Sequence, residues 1–74
     1  MQFSEIKEGQ RWLHEKTFRM YKVVHKGELQ WGEDWYSSIT YQPITEAIDS
    51  PNYSRYYTRT LLDFLTSFTY IQDE

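Results

Sequence analysis

The sequence predicts a mainly-β domain of five short strands with one short helix before the last, and three observations carry that expectation. Residues 53–71 change hydrophobic period twice. Residues 53–59 are rich in aromatics and β-formers, Leu61, Phe64, Leu65 and Phe68 then fall at i, i+3, i+4 and i+7, and residues 69–71 return to strand chemistry. Residues 19–26 alternate, with Arg19, Tyr21, Val23 and His25 on one face and Met20, Lys22, Val24 and Lys26 on the other. Aromatics make up 19% of the chain, with three Trp and seven Tyr, so a domain of 74 residues must build its core from a few large rings.

Each element follows from local chemistry. Phe3 and Ile6 flank Ser4 and Glu5 in a short arm or single turn that ends at Gly9, so residues 1–9 read as an N-terminal arm. Residues 11–15 read as the first strand and 17–25 as the second, which the Lys26-Gly27 pair ends. Residues 28–34, acidic and carrying Trp31 and Gly32, read as an exposed loop. The third strand is 35–42, with Trp35, Ser37, Ile39 and Tyr41 sharing a face, and Pro43 stops it because proline cannot donate to a ladder. Residues 43–52 are a proline-bounded loop in which Thr45 can cap a brief turn as far as Ile48. Residues 53–58 make the fourth strand. Thr60 followed three positions later by Asp63 resembles a capping box and starts a helix within 60–67. Residues 68–71 are the last strand, and 72–74 fray.

One domain therefore covers 1–74, with a small barrel at 10–71. The expected core is Trp12, Met20 or Tyr21, Val23 or Val24, Ile39, Tyr41, Leu61, Leu62, Phe64, Leu65, Phe68 and Ile71. Five short strands with a helical turn before the last is the order of an SH3-like (Src-homology-3-like) small barrel. A five-stranded oligonucleotide-binding barrel usually sets its helix between the third and fourth strands, where this chain has the proline-bounded loop. The late helix favours the SH3-like barrel.

Charge and composition narrow the function classes. The net charge is −3, but residues 11–26 sum to +4 and residues 27–52 to −5, so the first hairpin is basic and the middle of the chain acidic. With no cysteine there are no disulfides and no thiolate metal sites. No segment approaches the roughly 20 apolar residues of a membrane-spanning helix, and the N-terminus lacks a basic region followed by an apolar run, so a cytoplasmic protein with no membrane partner is expected. Such a small domain leaves no room for a deep catalytic cleft.

A family resemblance arises from spaced residues. Trp12-Leu13-His14, Met20-Tyr21-Lys22-Val23-Val24, Ile39-Thr40-Tyr41, Tyr57-Thr58-Arg59 and Asp63-Phe64-Leu65 resemble the pattern of a small bacterial and phage family of unknown function. That pattern carries an aromatic-x-His, a Tyr-x-Val strand, a Val-x-Tyr strand and an aromatic-x-Arg-Pro before a Phe-containing turn. The likeness spans about residues 10–71 and implies a bacterial or phage accessory protein. Thr60 stands where the pattern has proline, and the stretches at 27–35 and 43–52 are longer. No activity comes with the resemblance.

Catalytic and metal motifs are weak. His14 and His25 are the two histidines and lack zinc-protease spacing; on neighbouring strands they could meet beside Glu15 or Glu28, although one bonded and one exposed strand histidine is the simpler reading. The three glycines form no phosphate loop, Ser37, Ser38 and Ser54 have no Ser-His-Asp context, and Glu28, Glu33 and Asp34 lack the ligand spacing of a calcium loop. The expectation is a noncatalytic binding module without cofactor or metal.

Exposed aromatics carry the functional expectation. Trp35, Tyr36, Tyr41, Tyr53, Tyr56 and Tyr57 crowd two strands, and alternation cannot turn all of them inward. Outward rings beside Arg side chains are the strongest interface formers, so Trp31, Trp35, Arg55, Tyr57 and Arg59 are the expected protein-binding residues. The alternative is a nucleic-acid binder using Lys16, Arg19, Lys22 and Lys26 of the basic hairpin, opposed by a pI near 5.3. Tyrosines that merely cover a small core with their hydroxyls in water are the structural alternative to both.

Overall fold

Alternation in the second strand does not stop at Gly27. In the computed structural model, which describes residues 2–44 and 55–73, a short strand β1 (Arg11–His14) is followed by a long one, β2 (Arg19–Trp31), and then by β3 (Asp34–Pro43). Trp31 pairs with Asp34 across a two-residue turn. Gly32 has φ 65 at its first central position, a left-handed value that type II′ hairpin turns assign to glycine. The expected loop at 28–34 is therefore a hairpin tip and its flanking strand residues. Gly27 does not end the strand: it pairs with Ser38.

The remaining elements are β4 (Tyr57–Thr60), the helix α1 (Leu61–Ser67) and β5 (Phe68–Gln72), with a 3-10 turn at Phe3–Glu5 before β1. The fourth strand starts later than the expected 53–58, with Arg55 and Tyr56 outside it; residues 53 and 54, like the loop and turn expected after Ile44, lie outside the described residues. All five strands form one antiparallel sheet in the order β4-β3-β2-β1-β5. The fold is mainly β with one short helix. β4 and β5 are the two edges of the sheet, which is not closed on itself.

The helix starts where the capping signal lies. Thr60 is extended, and its hydroxyl accepts from the Asp63 N–H at 3.3 Å. The Asp63 carboxylate turns instead to Arg59 Nη1 at 3.1 Å, so half of the reciprocal pair forms. After seven residues Phe68 returns to extended geometry and opens β5 directly.

The core is an aromatic cluster with aliphatic filler: Ile6, Trp12, Val23, Ile39, Tyr41, Phe64 and Phe68. Phe64 stacks on Phe68 with ring centres 4.6 Å apart, and Trp12 meets Phe64 edge-on at 4.8 Å. Leu61 and Leu65 pack at its margin. Two expected core residues are outside: Leu62 is 78% exposed and Ile71 44%. Leu62 stands off the i, i+3, i+4, i+7 face that Leu61 and Phe64 define, and Ile71 alternates with Tyr70, which packs edge-on against Trp12 at 5.5 Å.

Ile6 and Gln10, both in the arm or at its end, are buried. Gln10 Nε2 donates to the Glu5 carbonyl at 2.9 Å and to Asp73 Oδ1 at 3.2 Å, while its Oε1 accepts from Trp12 Nε1 at 3.2 Å. One side chain thus ties the first turn, the core indole and the residue following β5. Its burial costs little because each polar atom is bonded.

Replacing Phe64 by Ala should cost about 3–5 kcal/mol, because a ring with no exposure leaves a cavity among packed aromatics. Leu62→Ala, on the same helix but in solvent, should cost under about 1 kcal/mol. Thermal melts of the two variants check the assignment: equal losses would mean that the helix presents a different face to the sheet.

Candidate functional site

Support for the β2–β3 hairpin is local. β1 pairs with Arg19 to Lys22 of β2, and β4 with Ser38 to Tyr41 of β3. Residues 27–37 therefore project as a two-stranded ribbon, which fits a molecule measuring 40 × 23 × 22 Å. Among the described residues no further strand pairs with the ribbon, and its large side chains are exposed. Trp31 is 75% exposed and Trp35 61%. Leu29, Trp31, Trp35 and Tyr36 meet Leu61 and Leu62 of the helix around an open groove of about 610 Å³. The ribbon also carries Glu28, Glu33 and Asp34, all exposed, and no Lys or Arg lies between residues 27 and 52. The result is an apolar groove on an acidic ribbon.

Arg59 occupies a different place. Along β4, Tyr57 and Arg59 pair with Tyr41 and Ile39 on the inner face, while Thr58 pairs with Thr40 on the other, their hydroxyls sharing a hydrogen bond of 2.9 Å. Arg59 Nε donates to the Tyr41 hydroxyl at 2.8 Å, and Nη1 donates to Asp63 Oδ2 at 3.1 Å and Ser67 Oγ at 3.2 Å. Its guanidinium also lies over the Phe68 ring, 5.5 Å from the centre. This side chain is a structural bracket between β4, α1 and β5. Tyr57 stacks on Tyr41 with ring centres 5.8 Å apart.

The expected protein-binding set therefore divides. Trp31 and Trp35 share the ribbon groove, Tyr57 and Arg59 face the inner side of the sheet, and Arg55 is exposed ahead of β4. Leu29, Leu61 and Leu62 join the groove against expectation: Leu61 and Leu62 are expected in the core and Leu29 in a loop, whereas Leu29 and Leu62 are exposed and Leu61 reaches the groove from the core margin.

The basic set divides as well. Lys22 pairs with Arg11 and Arg19 with His14, on strand positions of opposite parity, and Lys16 lies in the turn between β1 and β2. Lys26 is tied down: its Nζ donates to the Phe3 carbonyl at 3.2 Å and sits 4.7 Å from the centre of the Phe3 ring. These four cations do not line one stripe.

His14 and His25 do not meet. His14 Nδ1 shares a hydrogen bond of 2.8 Å with Thr17 Oγ1. His25 lies six residues beyond the β2 partner of His14, about 20 Å along the strand, and its Nδ1 is 3.8 Å from Glu8 on the surface.

No protein-family model, curated protein or solved structure matches the chain.

Burial pushes the Tyr41 hydroxyl above its ordinary pKa, and the bond from Arg59 opposes that shift without cancelling it. The same bond is the main reason the Arg59 guanidinium holds its proton more tightly than usual. As pH rises, the unfolded chain loses the Tyr41 proton first, so the associated stability is complete below the ordinary phenol pKa of about 10 and is lost above it. Tyr70, whose hydroxyl donates to Asp73 Oδ1 at 2.6 Å, shifts in the same direction. Melting temperature should hold between about pH 7 and 9 and fall above about pH 10. Tyr41→Phe should lower the plateau and shallow the alkaline limb; an unaltered limb in that variant would place the titration elsewhere.

Proposed function

We propose that the chain is a noncatalytic binding module that grips a basic protein partner with the aromatic ribbon. The observation that carries this reading is the exposure of Trp31 and Trp35 on an acidic two-stranded projection. Buried Trp gives the largest return per residue at an interface, and the Leu29, Tyr36 and Leu62 side chains around it supply the water-excluding surround. Glu28, Glu33 and Asp34 steer a cationic partner and disfavour an anionic one.

The same reading takes the domain as an SH3-like small barrel, supported by the helix between the fourth and fifth strands and by the return of β5 beside β1. Its resemblance to the small bacterial and phage family suggests an accessory protein of the cytoplasm. Within the expected contact set, Trp31 and Trp35 are the primary contacts. Arg55 is a candidate at the periphery, while Tyr57 and Arg59 serve the inner face. Nucleic-acid binding through Lys16, Arg19, Lys22 and Lys26 is the weaker reading, because the four cations are dispersed and Lys26 is bonded to the arm.

The test is the double variant Trp31→Ala, Trp35→Ala. Both rings are mostly in solvent, so its melting temperature should stay within a few degrees of the parent. Bacterial proteins captured by the parent and retained after nuclease treatment should be lost, since two hot-spot rings at about 2 kcal/mol each amount to roughly a 1,000-fold loss of affinity. Capture that survives in the folded variant, or that nuclease abolishes and moderate salt weakens steeply, would refute the reading.

A further inference from the structure

The open seam of the sheet holds a second, chemically different cavity. Its volume is about 210 Å³, and its lining takes one or two residues from every strand: His14 of β1, Tyr21 of β2, Tyr41 of β3, Tyr57 and Arg59 of β4, and Phe68 of β5. Register brings them together, since Tyr57 pairs with Tyr41 and His14 with Phe68. The rings brace one another: Tyr21 meets Tyr41 edge-on at 5.2 Å and Phe68 at 5.5 Å, and His14 meets Phe68 at 4.9 Å. The walls are aromatic faces and edges already fixed by packing. Little ordering is left for a ligand to impose.

Its polar groups share one preference. Arg59 is a permanent cation held at Nε and Nη1, with its Nη2 making no hydrogen bond among the described residues. The Tyr41 hydroxyl accepts from Arg59 and keeps its own O–H to donate, and the hydroxyls of Tyr21 and Tyr57 are further donors. Among the described residues no carboxylate lines the cavity, and Asp63 grips Arg59 from outside it. A guanidinium edge with several phenol donors inside an aromatic wall suits an oxyanion attached to an apolar ring.

Size then selects among anions. A cavity of about 150 Å³ admits benzene, so this one has space for a ring and one carboxylate. Pockets for drug-sized ligands start at about 300 Å³, above this volume. We propose that the seam cavity binds a small aromatic carboxylate, either a free aromatic acid or the C-terminus of a peptide ending in an aromatic residue. The carboxylate sits on Arg59 and the phenols, and the ring lies among Tyr21, Tyr57 and Phe68. This site is separate from the ribbon and does not depend on the reading given to it.

Amide-resolved NMR titration of the whole chain with benzoate tests the proposal, with benzamide as the neutral counterpart. The expected result is saturable binding with a Kd of about 1 mM, as some nine non-hydrogen atoms supply at ordinary efficiency. Shifts should centre on residues 14, 21, 41, 57, 59 and 68, and benzamide should bind at least about 10-fold more weakly, since it lacks the charge. Arg59→Lys should weaken benzoate by a similar factor. Because Arg59 also braces the seam, Tyr57→Phe is the companion variant: it keeps the stacked ring, removes one donor, and should weaken benzoate about 3-fold or more. The Trp31→Ala, Trp35→Ala variant should bind benzoate as the parent does. Short peptides ending in Phe, with free or amidated terminus, distinguish the two sources of the carboxylate by whether the free form binds more tightly than benzoate. No saturation, equal binding of benzamide, or shifts centred on the ribbon would overturn the proposal.

Discussion

A seven-residue helix joins strands that stand at opposite edges of a five-stranded sheet, and the rest of the structure follows from that span. At about 1.5 Å per residue α1 is roughly 10 Å long. Laid flat, the four gaps between β4 and β5 would separate them by roughly 19 Å at about 4.8 Å each. No residue intervenes between β4 and α1 or between α1 and β5, so the difference must come from the sheet, which has to coil. Pairing irregularities between Val23 and His25 and between Arg11 and Trp12 provide local bends. Coiling turns Trp12, Val23, Ile39 and Tyr41 toward a common interior, and Phe64 fills it from the helix.

The coil stops short of backbone closure, and side chains take over at the gap. Arg59 reaches from β4 to Ser67 at the end of α1 and lies over Phe68 at the start of β5. On the β1 side, the Glu15 N–H donates to the Ser67 carbonyl at 3.0 Å and Thr69 Oγ1 donates to the Glu15 carboxylate. The Arg59 contacts bridge the gap between the two edge strands, and the Glu15 contacts extend the pairing of β1 with β5. They also explain why the seam is polar at its rim and aromatic within: the groups that bracket it are hydrogen-bonding, and the groups beneath them belong to the core.

Much of this was legible in the sequence where the signal was local. The cap at Thr60, the helix face of Leu61, Phe64, Leu65 and Phe68, and the alternation of Tyr21 with Val23 each rest on neighbours within a few residues. The misreadings share another cause. Residues 28–34 looked like a loop because they are acidic and follow a glycine, yet Trp31-Gly32-Glu33-Asp34 is a tight hairpin whose strands outrun their neighbours. Composition reports solvation, and a solvated ribbon is as polar as a loop. Ile6 and Gln10 were missed because their burial depends on Val23, Trp12 and Asp73, contacts that no local period encodes. Leu62 and Ile71 are as apolar as core residues, but helical spacing and strand parity turn them outward.

That division of the apolar residues is what separates architecture from function in this chain. Inside the coiled portion, each buried ring has two or more ring neighbours: Tyr41 alone contacts Tyr21, Tyr57, Phe64 and Phe68. On the ribbon, no further strand pairs with β2 or β3 among the described residues, and Trp31, Trp35 and Tyr36 stay exposed. A two-stranded projection gains little stability by itself, and solvent-facing tryptophans add nothing to it that smaller polar residues would not supply. None of those rings belongs to the core cluster. The exposure of these large rings outside the core is the observation on which the proposed interface at this end of the molecule rests.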